Sequence, residues 1–146
     1  MPATQRRTSL ASARPTLVAK TSPAPASRID PAKLMEGFFG IMRQWQASNA
    51  ESRAILGAPA ERTFQNWKNG DVKTLSQDTV RRIGYAAGIY KALAILYSEP
   101  ALADRWVRAE NAHFGGQTPL QRMTAGDVTD LAQVRAYLDT ARGPWS

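Results

Sequence analysis

The feature that most restricts what this chain can fold into is its punctuation. Start and stop signals for helices recur from residue 30 to residue 144, and the segments between them carry apolar residues at the spacing of a helical face. Asp30-Pro31 reads as an N-cap followed by proline at the first helical position. Leu34, Phe38, Ile41, Met42 and Trp45 then recur at i, i+4, i+7, i+8 and i+11, which predicts an amphipathic helix ending near Ala47. Ser48-Asn49-Ala50-Glu51 has the spacing of a capping box and opens a second helix, with Ala50, Ala54, Ile55 and Leu56 expected on its buried side. Gly57 stops that helix, and Gly57-Ala58-Pro59 supplies a turn.

A third helix follows to Lys68 and is closed by Asn69-Gly70. Ala60, Phe64 and Trp67 share its apolar back, while Arg62, Thr63, Gln65, Asn66 and Lys68 lie elsewhere around it. Gln and Asn make bidentate bonds to adenine, and Arg and Lys bond guanine or phosphate, so this front has the chemistry of a DNA reader. Helix, glycine-containing turn and second anchored helix form the pattern of a helix-turn-helix. The candidate DNA contacts are Arg62, Thr63, Gln65, Asn66, Lys68 and Asn69, with Ser52 and Arg53 on the preceding helix as phosphate contacts. An ordinary helical corner whose polar residues face water gives the same pattern, and the residues alone leave both readings open.

Ser76 begins a long helix with Val80, Ile83, Ala87, Ile89, Tyr90, Leu93, Leu96 and Tyr97 on more than one side. Such a helix is expected to be a central strut packed by several partners. Gly84 and Gly88 are expected to mark close approach by another helix or by a second copy. Pro100 restarts a helix bearing Leu102, Trp106 and Val107; Thr118-Pro119 opens a short one through Leu120 and Met123. Asp127 opens the last, with Leu131, Val134, Leu138 and Ala141 inward, and Gly143-Pro144 ends it.

Composition limits the chemistry. There is no Cys, and His113 is the single His, so thiolate metal sites, disulfides and a two-imidazole metal site are excluded, and no cofactor is expected. His113 has no nucleophile recognisably beside it and is read as a loop or interface residue; Asp127, Asp130 and Asp139 read as helix-start and surface charges. The chain is not expected to be an enzyme. The net charge of +7 favours an anionic partner. Much of it sits in residues 1–29, where Arg6, Arg7, Arg14, Lys20 and Arg28 accompany Pro, Ser and Thr without an acid. That segment is expected to be a disordered tail, either solvated or tracking DNA. It shares the composition of a transit peptide, but Pro15 interrupts any helix and the apolar stripe is poor. No apolar run approaches the ~20 residues of a membrane span, so a soluble, cytoplasmic protein is expected.

Trp67-Lys68 after the helix-turn-helix, Ile89-Tyr90-Lys91-Ala92-Leu93, Trp106-Val107, Asn111, Phe114-Gly115-Gly116, Thr118-Pro119-Leu120 and the closing Val134 to Asp139 together resemble the Xre/MbcA/ParS antitoxins. The resemblance covers residues 33–146; the turn before Thr63 is slightly longer than the family's common form. It implies an all-α protein whose helix-turn-helix DNA-binding bundle, residues 30–75, is joined by a long central helix to a small toxin-binding domain, the two together being residues 76–146. It implies a type II antitoxin that covers the active site of a RES-domain toxin acting on NAD or ADP-ribosylating its target, and that represses its own operon as a homodimer or larger assembly. By the same resemblance Arg135, Tyr137, Leu138, Arg142 and Trp145 meet the toxin. Without it, a free-standing helix-turn-helix regulator with a C-terminal dimerisation module remains the alternative.

Overall fold

A computed structural model describes residues 29–143, and among these described residues seven helices form: α1 Pro31–Gln44, α2 Asn49–Ile55, α3 Glu61–Lys68, α4 Gln77–Leu96, α5 Pro100–Val107, α6 Pro119–Met123 and α7 Val128–Arg142. A 3-10 turn, Ala112–Phe114, lies between α5 and α6. The fold is all-α. The expectations for residues 1–28 and for Trp145 lie outside the described residues.

The caps form where local chemistry dictates them. The Ser48 hydroxyl accepts from Glu51 N–H at 3.0 Å while the Glu51 carboxylate accepts from Ser48 N–H at 2.8 Å, completing the capping box of α2. Thr118 and Gln121 repeat the arrangement at α6, and Asp127 with Asp130 at α7. Ser76 caps α4 through Thr79 N–H. Each cap satisfies backbone donors that a helix start leaves orphaned, a contribution of about 1 kcal/mol apiece.

The central helix α4 packs against α7, α1 and α5. Its buried positions are Thr79, Arg82, Ile83, Ala86, Ile89, Ala92 and Leu93, a single stripe at helical spacing. The expectation of apolar burial over most of its girth is therefore corrected: Val80, Ala87 and Ile95 are exposed on the side away from the buried stripe, while Tyr90 lies partly exposed at the edge of that stripe beside α5. The core runs without a break from Met35, Phe38, Met42 and Trp45 of the first helix, through Ile83, Ile89 and Leu93, to Leu131, Val134 and Leu138 of the last. Full burial of such side chains stabilises by about 1.5–3 kcal/mol each.

Several finer expectations shift for geometric reasons. α1 ends at Gln44, short of Ala47, and its inner stripe is Met35, Phe38 and Met42, with Leu34 and Ile41 only partly covered. α2 lays the edge carrying Ser52 and Ile55 on the core, so Ala50 is exposed and Ala54 half-buried. Ala60 is the exposed N-cap of α3 and not part of its buried back. Leu102 and Ala141 face outward, because Ala103 and Val107 of α5 and Val134 and Leu138 of α7 take the inner positions.

Two arginines fasten distant parts of the chain. Arg82, only 8% exposed, donates from Nε to Asp78 at 2.8 Å and from Nη1 to the Ile55 carbonyl at 3.4 Å, where α2 ends. Gly57, at φ +92°, leaves the room it needs: a Cβ there would stand 3.0 Å from Arg82 Nε. Arg108, just beyond α5, donates to the carbonyls of Trp45 and Gln46 at 3.3 and 3.2 Å, where α1 ends. Both satisfy carbonyls that a helix terminus would leave open.

Candidate functional site

The first candidate surface is the outer side of α3. Phe64 is buried and meets Phe39 of α1 edge to face at 5.6 Å, which anchors the helix by its back. Arg62, Gln65, Asn66, Lys68 and Asn69 are exposed, and Thr63 is half-buried. Four of them, Arg62, Gln65, Asn66 and Asn69, fall on the side of the helix opposite Phe64 at 100° per residue. Lys68 lies toward α2 instead, where its Nζ donates to Asn49 Oδ1 at 2.7 Å.

Ser52 and Arg53 stand differently from the expectation. Ser52 is 3% exposed and faces the core, so it is not a surface phosphate contact. Arg53 Nε donates to the Pro59 carbonyl at 2.6 Å and lies 3.9 Å from Glu61, so this side chain braces the turn between α2 and α3. Beside α3, a groove of about 420 Å³ is lined by Lys33, Arg43, Trp67 and Lys68 among others. Lys33 and Arg43 were not among the sequence candidates. Their signal was their placement on α1 away from Met35, Phe38 and Met42, but which neighbour that side faces depends on how α1 and α3 meet.

The second surface is built where the 3-10 turn meets α7. Tyr137 is half-buried at the centre of an aromatic group: the Trp106 ring stacks on it at 6.1 Å, His113 approaches at 4.4 Å and Phe114 at 5.6 Å. The turn holding His113 and Phe114 is shaped by the Asn111 side chain, which accepts from His113 N–H, and by Gly115 and Gly116 at φ +68° and +90°. Two successive left-handed residues favour glycine. The cleft between this turn and α7 has a volume of about 650 Å³ and includes Arg122, Gln133 and Ala136.

The remaining partner-contact candidates divide. Arg135 crosses over Gly88 of α4 and pairs with Asp139 at 3.2 Å, and Arg142 approaches the same carboxylate at 3.4 Å. The close approach expected at Gly88 is thus made by a side chain, while Gly84 has open space beyond it. Leu138 is 1% exposed and belongs to the core, because it shares the inner side of α7 with Leu131 and Val134; it is not a surface contact. Asp127, the cap of α7, is held below the usual carboxylate range by the Thr129 backbone N–H first of all, with the Arg82 charge contributing in the same direction. Among the described residues no group of three or more His, Cys, Asp or Glu stands close enough to hold a metal ion.

Residues 92–144 match the family model described as the antitoxin Xre/MbcA/ParS C-terminal toxin-binding domain. This span takes in the end of α4, the aromatic group and all of α7. This C-terminal part of the chain belongs to the Xre/MbcA/ParS toxin-binding domain family. It is also similar over most of its length to a protein of Sinorhizobium fredii (strain NBRC 101917 / NGR234) called uncharacterized protein y4oB, at 41% identity over 123 residues, covering 84% of this chain and 94% of that one. The similarity extends well outside the toxin-binding span, so the α1–α3 part is shared between the two proteins as well. No helix among the described residues is long and apolar enough to cross a membrane.

Proposed function

We propose that this chain is the antitoxin of a type II toxin-antitoxin pair, that its C-terminal surface binds and occludes a RES-domain toxin that acts on NAD or ADP-ribosylates its target, and that α2 and α3 form a helix-turn-helix by which it represses its own operon. The observation that carries the reading is the match of residues 92–144 to a toxin-binding domain. The RES class of the partner rests on the sequence resemblance alone. The toxin-facing residues are Arg135, Tyr137 and Arg142, with Trp145 beyond the described end. Tyr and Arg are types that dominate interface energy when desolvated.

The DNA-reading part of the proposal rests on the exposed row Arg62, Gln65, Asn66 and Asn69, with Lys68 and the groove lysine and arginine, Lys33 and Arg43, at its flank for phosphates. A single short helix reaches few bases, so two copies reading two half-sites are required for useful specificity. The exposed side of α4, with Val80, Ala87 and Ile95 around the open Gly84, is the surface for that association. It is also what favours the second reading, a free-standing regulator whose C-terminal half only dimerises.

The test separates the two ends. Gln65→Ala with Asn66→Ala weakens operator binding and leaves toxin neutralisation intact, whereas removal of Gly143 to Ser146 does the reverse. A folded variant of either kind that loses both activities counts against the division of labour. Failure of the chain to copurify with the product of the adjacent gene counts for the free-standing regulator.

A further inference from the structure

We propose that the cleft between the 3-10 turn and α7 is a socket that receives the toxin, seating an apolar side chain of the toxin flanked by a carboxylate; this rests on the antitoxin reading above. Three observations carry it.

The first is shape and material. The volume of about 650 Å³ is in the ~300–1,000 Å³ range of sites that enclose a ligand group. Its walls are the Tyr137 ring, the Phe114 and His113 rings and the Ala136 methyl, an apolar lining into which a side chain can pack on several sides. His113, Gln133 and Ala136 are themselves exposed, so the cleft opens to a partner and is not an internal void.

The second is an excess of hydrogen-bond donors. Arg122 lines the cleft, and its nearest carboxylate, Asp130, lies 3.6 Å from Nη1, longer than a hydrogen bond. Arg122 Nε is buried without an acceptor. Asp130 accepts from Asp127 N–H through Oδ2 in the α7 capping box, and its Oδ1 stands too far from Arg122 to satisfy the guanidinium. A guanidinium offers five donors and cannot neutralise by losing a proton, so an incoming carboxylate is the group that completes it. Buried polar groups left short of partners are the exception in folded proteins.

The third is location. Every residue of the socket lies within the span that matches a toxin-binding domain, and the cleft is continuous with Tyr137, already assigned to the partner surface. Arginine and tyrosine anchors in a pocket of this kind carry a disproportionate share of interface energy.

The experiment uses the full chain, and the product of the adjacent open reading frame is the binding probe, its affinity measured by titration against wild type and variants. Ala136→Trp fills the socket and is expected to weaken binding at least about tenfold, while Ala101→Trp, exposed on α5 away from the cleft, is expected to stay within about twofold. Gln133→Glu places a like charge against the incoming carboxylate and is expected to weaken binding about tenfold, whereas Gln133→Lys places an opposite charge there and is expected to tighten it. The Gln133 pair changes an exposed position, so it decides the matter even if the Trp variant fails to fold. Equal affinity of folded Ala136→Trp and wild type, or a Gln133→Lys loss that matches Gln133→Glu, overturns the socket. Absence of binding by the wild-type chain overturns instead the antitoxin reading on which the socket rests.

Discussion

Gly57 and Gly70 form a matched pair for testing how the α2–α3 corner is fastened to the central helix. Both sit at nearly the same left-handed angle, φ +92° and φ +89°, and both follow the end of a short helix. They differ in what a Cβ would meet. At Gly70 nothing lies within 4 Å, whereas at Gly57 the added carbon stands 3.0 Å from Arg82 Nε and 3.1 Å from Cζ. Alanine at either position costs about 1–2 kcal/mol for the left-handed backbone. At Gly57 the crowded guanidinium must also move, and it is pinned by Asp78 and the Ile55 carbonyl. Losing one hydrogen bond from a charged donor adds about 1.5–3 kcal/mol. Gly57→Ala is therefore expected to destabilise by about 1.5–3 kcal/mol more than Gly70→Ala, roughly 6–12 °C in melting temperature for a domain of this size. Urea denaturation of both variants with unchanged m-values is the assay. An equal loss in the two variants refutes the reasoning, and so does a gap that persists when both are remade in an Arg82→Met background.

Gly88→Ala is expected to expel the Arg135 guanidinium from its place over α4 and to weaken toxin binding, with stability changed by less than about 1 kcal/mol; the helix-propensity gain of alanine and the lost exposed pair with Asp139 largely offset. Urea midpoints and toxin titration on the same sample check both halves. The carboxyl of Asp127 is held below the usual range, so its contribution to stability is fully present above that range and is lost as pH falls through the lowered value. Asp127→Asn is expected to flatten that acid limb, read from urea midpoints measured from neutral pH downward; an unchanged limb contradicts the assignment. Ile95→Glu, placed on the exposed side of α4, is expected to shift the chain from dimer to monomer in light scattering while leaving its helical circular dichroism intact.

What the sequence made legible was whatever is decided within one turn of helix. The Ser48, Ser76, Thr118 and Asp127 caps involve partners two or three residues away, and all four are present. What escaped was decided across the fold. Arg82 sits in the inner stripe of α4 and reaches the Ile55 carbonyl 27 residues back, and Arg108 reaches Gln46 62 residues back. A cation at an inner helical position reads as a break in the pattern until the carbonyl it serves is known. The same limit explains Ser52 and Leu138, whose side of the helix depended on which edge of α2 and α7 the core would claim. In the C-terminal half, Tyr137 is proposed as a partner contact on family likeness, while Arg122 and the cleft walls depend on how α6, α7 and the 3-10 turn come together.

The central claim is that this chain neutralises a toxin through its C-terminal surface. The most direct measurement is growth of cells expressing the adjacent gene alone, with the full chain, and with the chain lacking Gly143 to Ser146. Arrest by the neighbour alone, rescue by the full chain and failure of the truncated one to rescue, with all products folded and present at equal level, is the predicted result. A neighbour that leaves growth untouched in the absence of this chain contradicts the claim.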